Sequence, residues 1–127
     1  MKNKAVDDQK TDYRSIGKTT IAPDVLVTIA RLTALEVPGV SRMAGIPKAK
    51  DRLLSRSAGE GVHLDIEDDQ VFADIYLVLK NDVNILQISR QVQAEVARSI
   101  SEMVGMRIGR VNIHVEDIDF SPENENI

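Results

Sequence analysis

The stretch VHLDIEDDQVFADIYLVL, residues 62–79, decides the fold of this chain. Val62, Leu64 and Ile66 alternate with polar residues, a period of two that is typical of strands with one buried face, and the sequence at 67–70 supplies a turn. We therefore predict a hairpin with strands at 62–67 and 71–79. The returning strand places Val71, Ala73, Ile75, Leu77 and Leu79 on one face, and Phe72, Asp74, Tyr76 and Val78 on the other.

The sequence after the hairpin predicts an amphipathic helix and a closing strand. Gly105 predicts the end of the helix, and alternating apolar residues at 111–115 predict the strand. Between Asn84 and Val104 the apolar residues recur every three or four positions, as on the buried side of a helix: Ile85, Ile88, Val92, Val96, Ile100 and Met103.

The sequence before the hairpin predicts a short strand at 17–21, then a helix whose first turn contains Pro23. Val25, Ile29 and Leu32 recur on one side of this helix, which ends at Val37-Pro38-Gly39. A brief strand at 40–43 and a long loop at 44–61 complete this part of the chain.

The order β-α-β-β-β-α-β predicts an α+β fold, a two-layer sandwich in which two amphipathic helices cover one face of a mixed sheet. A chain of 127 residues is long enough for one hydrophobic core. We predict a single α/β domain at 15–120, with flexible polar tails at 1–14 and 121–127.

Composition narrows the classes of function. The net charge of -4 makes nucleic acid an unlikely partner unless basic residues are gathered in one place. The chain contains no Cys, which excludes disulfides and thiolate chemistry and is compatible with a reducing compartment. Without a signal-peptide pattern or an apolar run of about 20 residues, we predict a cytoplasmic protein whose membrane association, if any, runs through a partner.

Side chains capable of catalysis are few. His63, Asp65, Asp74 and His114 are all predicted on the sheet face away from the helices, where adjacent strands could assemble a Zn²⁺ or hard-metal site. The alternative is a solvated outer face, which we favour because short motifs discriminate weakly. We predict no catalytic residues, no cofactor and no metal.

A basic stretch at 42–56 begins in the predicted strand at 40–43 and continues through the predicted loop, whereas the C-terminal end is acidic. It contains Arg42, Lys48, Lys50, Arg52 and Arg56. The loop is either a solvated connector or a site for an acidic protein surface, anionic lipid or nucleic acid. Aromatic residues make up only 3% of the chain, which disfavours stacking on single-stranded RNA.

The outer face of the hairpin carries Phe72, Tyr76 and Val78 beside Asp74. This is either an ordinary half-polar sheet surface or a contact for a second copy or another protein. Because apolar patches on open faces favour association, we predict that these three residues take part in self-association.

Several short sequences together resemble the bacterial alkaline shock (envelope stress response) family across most of residues 17–118. Where members of that family often carry an aromatic residue and a glycine, this chain has Asn81-Asp82. The sequences that carry the resemblance are Ile21-Ala-Pro-Asp-Val25, Leu35-Glu-Val-Pro-Gly-Val40, Asp51-Arg-Leu-Leu-Ser-Arg56, Gly61-Val62, Ile75-Tyr-Leu-Val-Leu79, Val83-Asn-Ile85 and Val111-Asn-Ile-His-Val115.

The resemblance implies a non-enzymatic protein linked to cell-envelope homeostasis and prone to self-association. In some members it implies a membrane-anchored protein partner, and in others a connection with fatty-acid synthesis. We therefore expect a homo-oligomeric protein-interaction or scaffold module. The alternative is a small nucleic-acid or anionic-lipid binder that uses the basic loop at 42–56.

Overall fold

The computed structural model describes residues 16–46 and 58–122. The predicted tail at 1–14 and most of the predicted C-terminal tail lie outside these ranges. In chain order the elements are α1 (Pro23–Glu36), β1 (Val40–Met43), β2 (Ala58–Gly59), β3 (Val62–Glu67), β4 (Gln70–Lys80), α2 (Ile85–Val104) and β5 (Arg107–Asp119). The predicted α+β class, with a mixed sheet and two helices, is confirmed.

Two predicted elements differ from the structure. The strand expected at 17–21 does not form. Among the described residues no strand lies beside this exposed segment, and a strand needs a partner for its backbone groups. Within the predicted loop, Ala58–Gly59 forms the short strand β2 and pairs antiparallel with Val62 and His63 of β3. The described part of the chain therefore has the order α-β-β-β-β-α-β.

Strand β4 is the centre of the sheet. Along one side it pairs in parallel with β5 over its whole length, from Gln70 to Lys80. On its other side, β3 pairs with the first half of β4 and β1 with the second half, both antiparallel. Tyr76 marks the junction, since its N–H donates to the Gly61 carbonyl and its carbonyl accepts from the Ala44 N–H, each at 2.8 Å.

Local sequence explains the turns and helix ends. Asp68 and Asp69 have φ values of 52° and 64°, as the central residues of a two-residue hairpin turn require. The side chain of Asn84 accepts a hydrogen bond from the Gln87 N–H at 2.9 Å and caps α2. Gly105 ends α2 in the left-handed conformation, φ 79°.

The core lies between the sheet and the two helices. The β4 face predicted to meet the helices is fully buried, which confirms the assignment of strand faces. Helix α2 contributes Val92, Val96 and Ile100 to this core as predicted, whereas Ile85 and Met103 at its ends are exposed. The closing strand is longer than the predicted 111–115 and runs over Arg107–Asp119.

The buried side of α1 is not the predicted one. Val25 and Leu32 face solvent, and Ile29 is only partly buried. The core side of α1 is formed instead by Leu26, Val27, Ala30 and Ala34. The small Ala side chains let the helix approach the sheet closely, so the larger apolar residues on its other side are left outside.

Candidate interaction site

Phe72, Tyr76 and Val78 lie on the sheet face opposite the helices, as predicted, but this face is not open at all three. Tyr76 is 8% exposed and Val78 3%, because Ala44 and Ile46, which follow β1, pack over them. The expectation that Tyr76 and Val78 are available at the surface is therefore wrong. Their burial follows from the path of the chain after β1, which strand alternation does not reveal.

Phe72 is only partly buried and is the most accessible of the three. Its ring lies against Gly109 of β5, in the space that a side chain at that position would fill. Of the three residues predicted to take part in self-association, Phe72 is therefore the most accessible for such a contact. Its role in self-association stays a prediction.

A polar group occupies the outer face beside Tyr76. His114 stacks on the Tyr76 ring with a centroid distance of 4.4 Å and an interplanar angle of 13°. His114 Nε2 lies 2.9 Å from Asp74 Oδ1, and Asn112 Nδ2 donates to the same oxygen at 3.1 Å. Partial burial alone would raise the pKa of Asp74, but the hydrogen bonds from His114 and Asn112, with the charges of His114 and His63, lower it below its ordinary value.

His63 is buried on the same face, and its Nε2 lies 3.3 Å from Asp65 Oδ2. The register sets His63 directly opposite Asp74 on β4. Within residues 16–46 and 58–122, no three His, Asp or Glu side chains are grouped so that they could hold a metal ion. These side chains provide hydrogen bonding and stacking between β4 and β5, and an ion pair within β3.

Of the predicted basic residues, only Arg42 belongs to the described ranges. Its Nη1 lies 3.6 Å from Asp119 Oδ2, so it meets the acidic C-terminal end of the chain. Lys48, Lys50, Arg52 and Arg56 lie outside the described residues, and their role as a binding loop stays a prediction.

Asp119 connects the end of β5 to β1. Its Oδ2 accepts a hydrogen bond from Ser41 Oγ at 2.6 Å, and its Oδ1 accepts one from the Ser121 N–H at 2.9 Å. The Ser41 hydroxyl first, then Ser121 and the charge of Arg42, lower the pKa of Asp119 to about 2. Beside it lies a cleft of about 440 Å³ lined by Ser41, Lys80, Asn81, Val83, Asp119, Phe120, Ser121 and Pro122.

Sequence reasoning missed an exposed apolar surface on α1. Four large side chains lie on the solvent side of α1 and just before it, and we call them the α1 ridge: Ile21 (41% exposed), Val25 (47%), Leu32 (49%) and Leu35 (37%). With exposed Thr28, their spacing is four, three, four and three residues. The signal was present as a second apolar set interleaved with the buried one on α1.

The fold defines a two-layer α+β protein with one mixed sheet. None of the helices in the described part of the chain is long and apolar enough to span a membrane. Comparison of the sequence with family models shows that the chain belongs to the alkaline shock protein 23 family, described as having a cell envelope-related function, with a match over residues 11–120. The resemblance inferred from short sequences is therefore confirmed.

Sequence relatives support this assignment. The chain is 30% identical to the uncharacterized protein YqhY of Bacillus subtilis (strain 168), covering 100% of this chain and 96% of YqhY. It is 37% identical to the uncharacterized protein Spy1535 of Streptococcus pyogenes serotype M6, over 85% of this chain and 82% of that protein. A solved MamM-CTD structure matches 74% of this chain and 96% of its own chain, at 13% identity and a TM-score of 0.47. A likeness this distant does not bear on function.

Proposed function

We propose that this chain is a non-enzymatic protein-interaction module that serves cell-envelope homeostasis by holding a helix of a partner protein along the α1 ridge. The observation that carries the proposal is the exposure of the ridge. Soluble chains seldom leave large apolar side chains side by side in water, and such patches mark interaction sites. The family's cell envelope-related function supplies the setting.

The spacing of the ridge indicates the kind of partner. Apolar residues separated alternately by four and three positions form the seam along which two helices pack knobs into holes. A partner helix with the same spacing would therefore fit along α1. Each Val or Leu side chain that is fully buried at such a contact contributes about 1.5–3 kcal/mol.

The ridge is separable from the core. Its side chains project from α1 away from Leu26, Ala30 and Ala34, which are fully buried against the sheet. Polar substitutions on the ridge should therefore leave the fold intact while weakening partner binding. This separation makes the proposal testable in the full chain.

Site-specific photo-crosslinking in cells of the source organism tests the proposal. A photo-reactive residue replaces Leu32 on the ridge and, as a matched control, exposed Leu86 on α2. We expect the probe at position 32 to capture one protein, with the crosslinked residues of that protein spaced three or four positions apart on one helix. The yield of this crosslink should fall when Val25→Ser is added. Equal capture at both positions, or capture of nucleic acid or lipid only, would contradict the proposal.

A nucleic-acid or anionic-lipid binder that uses residues 42–56 is the other predicted function. Among its basic residues Arg42 is near Asp119, and the remaining four lie outside the described ranges. That alternative stays a prediction from the sequence.

A further inference from the structure

Strand β5 is a long edge of the sheet. It spans Arg107–Asp119, 13 residues, and pairs with β4 along one side. Among the strands of the described ranges, none pairs with its other side. An edge strand presents a row of backbone donors and acceptors to which another strand can bind.

The backbone groups that face outward on β5 follow from the pairing of β4. Because the N–H and carbonyl of Tyr76 bond to Gly61 and Ala44, its neighbours on β4 direct theirs toward β5. In the parallel ladder Ile75 lies opposite Ile113. The backbone groups of Asn112 and His114 therefore point toward β4, and those of residues 111, 113 and 115 point to the free edge. Gln93 confirms the assignment, since its Nε2 donates to the outward Val111 carbonyl at 3.0 Å.

From this edge we propose that a second copy of the chain pairs antiparallel with β5, about a twofold axis at Ile113, to form a continuous sheet across the dimer. The charges along the strand carry the proposal, because the first half is basic and the second half acidic. In this register Arg110 meets Glu116 of the other copy, and Arg107 lies opposite Asp119, whose carboxylate also binds Ser41 and Arg42 of its own copy. Each pair occurs twice, and opposite charges on facing strands stabilise the pairing.

The apolar residues of the strand fit the same register. Val111 and Val115 become cross-strand neighbours, and the two copies of Ile113 meet at the axis. Ile113 and Val115 are only partly buried in the single chain and pack at the margin of its core. Antiparallel pairing keeps these side chains on the helix-covered face of both sheets, so the cores of the two copies become continuous.

Competing arrangements fit the charges less well. Parallel pairing of two β5 strands in register would bring like charges together, Arg110 beside Arg110 and Glu116 beside Glu116. Arg110 and Glu116 are exposed, and within the described residues neither forms an ion pair.

Gln93 does not block the contact with a second copy. The Val111 carbonyl oxygen that accepts from Gln93 has two lone pairs, so it can also accept from the Val115 N–H of the other copy.

Charge reversal and its rescue test the register. Sedimentation of the full chain over a concentration series gives the dimer dissociation constant, and circular dichroism shows that each variant folds. Arg110→Glu and Glu116→Arg each place like charges at two symmetric sites, so we expect about a tenfold weaker dimer. The double variant restores both pairs and should recover the parent constant, and Arg90→Glu on exposed α2 should change nothing.

A disulfide test locates the axis directly. The chain contains no Cys, so Ile113→Cys introduces a single thiol. Hydrogen-bonded antiparallel pairs have Cα atoms about 5.5 Å apart, which lies within disulfide range. We expect oxidation to link two chains through Cys at this position, while an Asp82→Cys control stays unlinked.

Three results would overturn the proposal. The first is a parent chain that remains monomeric at about 100 micromolar, where a dimer with a dissociation constant of about 1 micromolar would be almost fully formed. The second is a dimer whose dissociation constant is insensitive to the single reversals or is not recovered in the double variant. The third is a folded dimer of the Ile113→Cys variant that forms no more disulfide than the control.

Discussion

Asp119, at the end of β5, accepts a hydrogen bond of 2.6 Å from the hydroxyl of Ser41, which lies 78 positions earlier in the chain. This bond is the largest cause of the low pKa of Asp119, about 2 against an ordinary 3.8. A carboxyl whose pKa is lower in the folded chain stabilises the fold above its ordinary pKa. That contribution is lost as the pH falls from 3.8 toward about 2.

We predict that Ser41→Ala raises the pKa of Asp119 toward its ordinary value, since the main donor to the charged carboxylate is removed. Titration of the Asp119 carboxyl by NMR measures the change. Ser121→Ala is the matched control, because its backbone N–H still donates to Asp119 and its side chain is a smaller cause. Equal shifts in the two variants would show that Ser41 is not the dominant partner.

The burial of Val78 on the outer face of the sheet leads to a prediction about stability. Val78 is almost fully buried under the segment that contains Ala44 and Ile46, so Val78→Ser should reduce the free energy of unfolding by about 2–3 kcal/mol. Urea denaturation measures this. Phe72→Ser is the comparison and should cost less, because that ring is only partly buried. If Val78→Ser leaves stability unchanged, the segment after β1 does not cover the sheet as described.

The stacking of His114 on Tyr76, on the same face, leads to another prediction about stability. His114→Ala removes both the ring on Tyr76 and a partner of Asp74, and loss of an aromatic contact costs about 1 kcal/mol. Asn112→Ala also removes a donor to Asp74 but no stacking, so it should cost less. Chemical denaturation of both variants at pH 7 compares them, and a larger loss for Asn112→Ala would count against the stacking account.

Gly61 lies where β1 and β3 meet along β4. Its φ is +72°, and an added Cβ would lie 2.8 Å from Met43 Cβ and 2.9 Å from the Ala44 carbonyl oxygen. We predict that Gly61→Ala lowers stability by more than about 1 kcal/mol. Gly105→Ala has a similar backbone requirement, φ +79°, but open space around it, and should cost less. Thermal unfolding of the two variants decides whether crowding adds to backbone strain.

Much of the fold follows from periodicity in the sequence. The alternation in 62–79 correctly places Ile75 and Leu77 against the helices, and helical spacing correctly places Val92, Val96 and Ile100 in the core. Both patterns depend on residues that are close together in the chain, so a single sequence is enough to reveal them. The Gly105 cap is local in the same way.

The errors concern contacts between distant segments. Thr19, Thr20 and Ile21 suit a strand by residue type, but a strand also requires a neighbour, which propensity does not supply. The burial of Tyr76 depends on Ala44, 32 positions earlier, whose N–H bonds to the Tyr76 carbonyl. On α1, Val25 and Leu32 were assigned to the core, whereas the residues that pack against the sheet are Leu26, Val27, Ala30 and Ala34.

Comparative affinity capture from cells of the source organism shows whether the α1 ridge binds a partner protein. Val25→Ser with Leu32→Ser alters the ridge, and Leu86→Ser with Met103→Ser alters apolar residues on α2 that are still more exposed. We predict that both double variants keep the parent melting temperature. The α2 variant should retain the protein that crosslinks at position 32, and the ridge variant should lose at least about nine-tenths of it, a change of about 1.4 kcal/mol or more. Undiminished capture of that protein by a folded ridge variant would contradict the claim.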